Sequence, residues 1–367
     1  MAEKTRKRKS EHISISLKNN VQAREGTTGF ENALFIHKAL PEIDRQQIDL
    51  STTVFDHKFA APLIVGAITG GTHEATKINA TIAEAVEELG LGMGVGSQRA
   101  ALEDKKLEES FIVARKKAPT AFLIANIGGV QLVNGYGLKE IKKAIEMIEA
   151  DALAIHLNAL QETAQPEGQT NFTGILEKVS HIAEELDKPV IVKETGAGIA
   201  AEEARKMESA GVKGIDVSGA GGTSWAAVEY YRAKELQDAS RRRIGELFWD
   251  WGIPTAVSIV EASQTVNIPI IASGGVRNGV DVAKALALGS DLTSLSQPVL
   301  CAAVKGVGET RNMLSLLMDE LRNVMFLVGA ESIGTLCRAP VVIVGKTAEW
   351  LTVRGFDIES YARRGGN

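Results

Sequence analysis

Residues Ile268-Pro269-Ile270-Ile271-Ala272-Ser273-Gly274-Gly275-Val276-Arg277 hold the unit that decides the fold. An apolar, β-branched run stops at Ser273, and two glycines follow. A helical pattern then runs from Val280 to Leu288 and ends at Gly289. The run lacks the polar alternation of a strand with one wet face, so it reads as a strand buried on both sides. Gly289 reads as the helix C-cap.

The same unit recurs along the chain. Further runs lie at 63–67, 91–95, 121–125, 152–157, 190–193, 214–217 and 292–295. Helical spacing over Ile78–Leu89, Ile141–Ile148 and Ala201–Ala210 fills intervals between them. The interval after the sixth run is the longest. It holds Trp225 to Asn267 and predicts extra helices laid over one end. Eight strands alternating with helices predict a (β/α)₈ TIM barrel. An open doubly wound sheet is the alternative, but it does not call for chemistry at nearly every strand end. Residues 1–60 read as a basic arm and lead-in. Residues 61–367 read as one functional domain, in which the helical pattern Met313–Leu327 and the apolar run Val341–Val344 form a C-terminal extension.

The 367 residues are 44% hydrophobic and 24% charged, ordinary values that exclude a disordered chain. Net charge is −5, unevenly spread. Lys4, Arg6, Lys7, Arg8 and Lys9 put five cations near the start; the other basic residues, 41 less these five, face 46 acidic ones. An acidic body argues against a nucleic-acid partner. The arm reads either as a solvated tail or as an arm that closes over a phosphorylated ligand. Cys301 and Cys337 show no metal spacing, which suits a reduced, cytoplasmic protein. No apolar run is long enough for a membrane span.

In a barrel the C-terminal strand ends meet at one mouth, where active sites form. Gly274-Gly275 and Ser218-Gly219-Ala220-Gly221-Gly222-Thr223 read as neighbouring cradles, in which backbone amides approach a phosphate unobstructed by a Cβ. Arg277 adds a charge-assisted contact. Lys193 ends an apolar strand, where its charge needs an anion: a carboxylate such as Glu194 or Asp216, or a negative cofactor ring. His156, Asn158, Gln161 and Glu162 form a polar cluster. His156 is a structural or a catalytic residue. Glu162 suits Mg²⁺ held jointly with ligand phosphates, or else a solvated helix terminus.

These segments resemble the FMN-dependent type 2 isopentenyl-diphosphate isomerase family. The likeness is carried by Arg8-Lys9-x-Glu11-His12, Thr69-Gly70-Gly71, Gly94-Val95-Gly96-Ser97-Gln98-Arg99, His156-Leu157-Asn158, Gln161-Glu162, Gln165-Pro166-Glu167-Gly168, Val192-Lys193-Glu194, Trp225 and the two cradles. The resemblance implies interconversion of isopentenyl and dimethylallyl diphosphates with reduced FMN, NADPH as reductant, Mg²⁺, and a homo-oligomer of four or eight chains. It implies that Ala67, Ile68, Thr69, Ser97, Asn126, Lys193, Ser218, Thr223, Gly275, Val276, Arg277, Ser296 and Gln297 surround FMN. Arg8, Lys9, Ser97, Gln98, Arg99, Asn158 and Gln161 would face the isoprenoid diphosphate, with Glu162 on Mg²⁺ and Gln161, Lys193 and His156 as the catalytic set. Ile68, Ala159 and Ser296-Gln297 depart from the family's usual residues. The rival is an FMN-dependent oxidoreductase of the 2-hydroxy-acid oxidase type, which needs a His base and Arg clamps near the sixth strand's loop. That loop, residues 218–223, has neither.

Overall fold

The computed structural model describes residues 2–365, with side chains from Arg6 onward. Eight parallel strands close into a barrel: β1 (Leu63–Val65), β2 (Gly92–Gly94), β3 (Phe122–Gly128), β4 (Ala152–His156), β5 (Val190–Lys193), β6 (Gly214–Asp216), β7 (Ile270–Ser273) and β8 (Leu292–Leu295). All eight expected runs are strands, and closure puts β8 beside β1, with Thr293 opposite Leu63. Each strand is buried on both faces because helices sheathe the outside and side chains fill the inside.

The helix His73–Leu89 shows how the sequence sets these elements. Thr72 caps its start by accepting from the Ala75 amide at 3.0 Å. Ile78, Ile82, Ala85 and Val86 face the strands, and Gly90, in the left-handed region, ends it. Gly289 closes Gly279–Leu288 in the same way.

The long sixth interval contains the expected additions. Helices Trp225–Glu235 and Ala239–Leu247 pack against the short helix Ala159–Ala164 at the mouth, before Thr255–Ser263 resumes the barrel pattern. At the C-terminus, Val341–Ile343 pairs antiparallel with Ala33–Phe35, and Val307–Val328 forms the long helix.

The N-terminal arm corrects the solvated-tail alternative. Ala2–Lys18 is a helix that packs on Trp225–Glu235. Ile13 and Ile15 are buried, and Arg8 and Lys9 point into the mouth.

Candidate active site

One deep cavity opens at the mouth, between the strand ends below and the N-terminal and inserted helices above. Every FMN-facing and catalytic residue named from the sequence lines it, as do Arg8, Lys9, Ser97, Arg99, Asn158 and Glu162.

The floor at β6 and β7 is built from backbone. Gly274 and Gly275 hold φ of 98° and 73°, a region favouring glycine. The Gly222 backbone lies against Gly275: a Cβ on Gly222 would come within 2.5 Å of the Gly275 Cα. Among the described residues no backbone or side-chain acceptor meets the amides of Gly275 and Val276. The loop leaves them for a ligand. Beside them Arg277 donates to Gln22 Oε1 at 2.6 Å, which fixes its guanidinium at the rim. This cradle fits a phosphate such as that of FMN.

Lys193 reaches the cavity from β5. Among the described residues it closes no salt bridge. Its ammonium donates to the Glu194 backbone oxygen at 2.7 Å. The Glu194 carboxylate is occupied elsewhere, accepting from the amides of Thr195, Gly196 and Ala197 at 2.5, 2.6 and 2.5 Å. No salt bridge to Glu194 closes, and Lys193 lines the cavity.

His156 Nδ1 lies 2.8 Å from Asn126 Oδ1. Asn126 Nδ2 already donates to the Val95 oxygen, so its Oδ1 accepts and the proton sits on Nδ1. Burial, and then the cations Lys193, Lys9 and Arg8, push the imidazole down to about 3. The fold therefore favours the neutral imidazole.

Gln161 is held at both ends. Its Nε2 donates to Glu229 Oε1 at 3.2 Å, and its Oε1 accepts from Asn158 Nδ2 at 3.2 Å. Glu229 is completely buried and also bonds His12 Nε2 at 2.9 Å and Arg232 Nη1 at 2.7 Å. Burial alone would raise this carboxyl, but His12 and Arg232 hold it down at about 2. Glu162 accepts from Asn158 at 2.9 Å and from the Gln169 amide at 2.7 Å. Beside it the Asn158 Oδ1 is buried with no hydrogen-bond partner among the described residues. An orphan oxygen next to a carboxylate suits a cation such as Mg²⁺. No group of three His, Cys, Asp or Glu gathers among the described residues, so a metal here would share a ligand's oxygens.

At the rim Arg8, Lys9 and Arg99 converge. Lys9 donates to the Ser97 oxygen at 2.5 Å and lies 5.2 Å from the Phe111 ring centroid. Burial, then Arg8 and Arg99, pull its ammonium down to about 7. Glu103 takes Arg99 at 2.8 Å and Glu167 stands 4.0 Å from Arg8. The cluster is under-neutralised and would be relieved by a polyanion.

Gln98 departs from expectation. It is completely buried behind the barrel wall, donating to the Ala144 oxygen at 2.8 Å and accepting from the Asn126 amide at 2.9 Å. The turn before Arg99 sends Ser97 and Arg99 forward and Gln98 back. Gln98 thus fixes Asn126, which in turn holds His156. Conversely, His12, Glu229 and Arg232 were not named as site residues. The available signal is Trp225, Glu229 and Arg232 at helical spacing, which puts an acid and a base on one face of a helix.

The buried acid–base groups predict a pH dependence. His156 is neutral in the fold but protonates in the unfolded chain below its ordinary 6.5. His156 therefore contributes a loss of stability as pH drops from about 6.5 toward about 3, opposed over the upper part of that range by buried Glu194, whose carboxyl is pushed up to about 7. Glu229 adds a loss as pH drops from 4.5 to about 2. Thermal midpoints of the cofactor-free protein against pH test this: His156→Gln should flatten the upper part of the slope, and an unchanged slope counts against it.

The closed barrel, the glycine cradle and the unpaired lysine define a class, the FMN-binding (β/α)₈ barrels. The model of the FMN-dependent dehydrogenase family matches residues 1–125 and 138–342. The isopentenyl-diphosphate delta-isomerase of Methanosarcina barkeri is 49% identical over 365 residues, covering 100% of this chain and 99% of its own. That of Pyrococcus furiosus is 48% identical, covering 97% and 91%. The chain belongs to the type 2, FMN-dependent isopentenyl-diphosphate delta-isomerases. Among solved structures, a Pediococcus acidilactici protein described as a lactate oxidase aligns with a TM-score of 0.64 at 21% identity over 94% of both chains. A mandelate oxidase aligns with a TM-score of 0.61 at 18% identity over 94% of this chain and 98% of its own. These two share the fold alone. Among the described residues no helix is long and apolar enough to cross a membrane.

Proposed function

We propose that the chain interconverts isopentenyl and dimethylallyl diphosphates, with reduced FMN in the glycine cradle and Mg²⁺ on the substrate diphosphate. One observation carries this reading: a single cavity contains two separate anion sites, the backbone cradle at Gly222–Gly275 and the cation cluster of Arg8, Lys9 and Arg99. The first suits a flavin phosphate and the second a diphosphate.

The reaction adds a proton to one carbon and removes one from another. An unactivated alkene is a very weak base, so a carboxylic acid would face a mismatch of many pKa units at about 1.36 kcal/mol each. Bound and reduced, FMN supplies the acid/base chemistry at its ring. Lys193 holds the negative charge of that ring. Gln161, pinned by Glu229 and Asn158, presents its remaining amide hydrogen and oxygen lone pair to the substrate. Neutral His156 offers Nε2 as an acceptor. Glu162 and Asn158 would hold Mg²⁺, and Ser97, Arg8, Lys9 and Arg99 would clamp the diphosphate. Family likeness further supports NADPH as the reductant, assembly as a tetramer or octamer, and a cytoplasmic setting. The oxidase reading finds no support at residues 218–223, which bring neither His nor Arg to the cavity.

Anaerobic incubation with isopentenyl diphosphate, Mg²⁺ and chemically reduced FMN tests the reading. Dimethylallyl diphosphate is the expected product, and its absence overturns the assignment. Glu162→Gln should raise the Mg²⁺ concentration for half-maximal turnover by about tenfold, on the order of one charged contact. An unchanged Mg²⁺ response removes Glu162 as the ligand.

A further inference from the structure

Beneath the mouth the barrel interior holds a second, small chamber, in which Lys193, Asp216, Asn126 and Ser294 lie among aliphatic side chains. Lys193 lines both spaces, whereas Asp216 lines only the lower one. β5 and β6 pair so that Lys193 and Asp216 stand side by side. Asp216 is buried and accepts from the Ser273 hydroxyl. The Ser218 amide also reaches it, from a residue held at a φ of 36°, which a serine rarely adopts. Asp216 closes no salt bridge among the described residues, yet Lys193 is its strongest charged influence. Burial pushes its carboxyl up; Lys193, then the Ser273 hydroxyl and the Ser218 amide, pull it back. A buried carboxylate with strained backbone around it, one strand from the unpaired lysine and out of reach of the cavity, has no part in the chemistry described above.

We propose that Asp216 is a positioning residue that acts through Lys193: it draws the ammonium from beneath and so limits how strongly that ammonium favours the reduced, anionic flavin ring above. This rests on Lys193 facing the flavin. The charge separation follows from the barrel: β5 and β6 pair Lys193 with Asp216, yet Lys193 lines both the mouth and the chamber below whereas Asp216 lines only the chamber. Ser273, whose hydroxyl favours the charged form of Asp216, sits at the end of β7 and lines the cavity, which links the cradle strand to the same device.

Midpoint potentials of bound FMN, measured anaerobically on the reconstituted full chain, test it. Asp216→Asn keeps the shape and removes the charge. It should tighten binding of reduced relative to oxidised FMN about tenfold, a positive shift of about 30 mV for a two-electron couple. Ser273→Ala keeps the carboxylate but favours its neutral form. It should shift the potential the same way by less, and it serves if the Asn variant fails to take up FMN. Lys193→Met should shift the potential downward. Asp216→Asn made in that background should lose most of its effect. Unchanged potentials in Asp216→Asn and Ser273→Ala, with Lys193→Met shifted, overturn the role of Asp216 alone. An unchanged potential in Lys193→Met overturns the placement of Lys193 at the flavin. A full Asp216→Asn shift without the lysine overturns action through Lys193.

Discussion

Gly222→Ala should leave a folded barrel that no longer retains FMN. The new Cβ would lie 2.5 Å from the Gly275 Cα and nearer still to its amide nitrogen, so the clash is with backbone and no side chain can swing aside. Gly274 cannot retreat, because its own Cα hydrogens face the Gly219 backbone; a Cβ there would lie within 2.5 Å of the Gly219 nitrogen. The β6 and β7 loops would therefore part, and the amides of Gly275 and Val276 would leave their shared orientation. Two charge-assisted hydrogen bonds lost at about 1.5–3 kcal/mol each weaken FMN binding by roughly 10²–10⁴-fold. The strands themselves end before the clash, at Asp216 and Ser273, so the far-ultraviolet circular dichroism should stay unchanged. Flavin fluorescence titration measures the affinity. A variant that binds FMN as tightly as the parent would place the phosphate elsewhere.

Much of this site is legible in the sequence because a barrel converts chain order into geometry. Once the eight buried runs are recognised, each strand end is at the mouth, and polar residues there have a place without any long-range information. That is why Lys193 of the fifth unit and His156 and Gln161 of the fourth lie around one cavity. Features that depend on packing between distant elements are not legible in this way. The helix Ala2–Lys18 is dominated by charge, and its burial is carried by Ile13 and Ile15, too few to outweigh the basic run. Glu229 gains its meaning from His12, 217 residues away, and from Gln161. The direction of Gln98 is set within a turn, where neither the helical nor the strand period applies. Strands such as Ala33–Phe35 and Thr52–Val54 are not followed by an amphipathic helix, so the repeating unit that marks the barrel strands does not mark them.

The N-terminal helix also explains how an acidic chain handles an anionic substrate. Its cations are not a diffuse steering field; Arg8 and Lys9 are sequestered at the rim. The same helix is locked to the inserted one by Glu11 on Arg232 at 3.0 Å and His12 on Glu229 at 2.9 Å. Arg232 in turn takes Glu167, of the loop following Glu162, at 2.9 Å. One cluster therefore connects the helix that bears Arg8 and Lys9, the Gln161 orientation and the loop that follows Glu162.

Gln161→Ala should collapse turnover while the protein stays yellow. The side chain is 9% exposed and its amide orientation is chemically fixed, since an ionised Glu229 can only accept. Nε2 therefore faces Glu229 and Oε1 faces Asn158, leaving one hydrogen and one lone pair at defined positions on the wall of the cavity. Truncation removes both, along with the positioning they enforce. A loss of roughly 10²–10⁴ in kcat is expected for a group that places or relays a proton. Gln161 reaches neither the Gly275 cradle nor Arg277, so FMN affinity should change little. Glu229→Gln provides the contrast. It keeps the size of the partner but can turn an N–H toward Gln161, which frees the amide to flip. It also strips one of three carboxylates from the buried Arg232, at a cost to stability of about 1.5–3 kcal/mol. That variant should lose both kcat and thermal stability, whereas Gln161→Ala should lose kcat alone. Near-parental turnover in Gln161→Ala would remove the residue from the reaction. Equal losses of stability in the two variants would show that Gln161 acts only as a strut for Glu229.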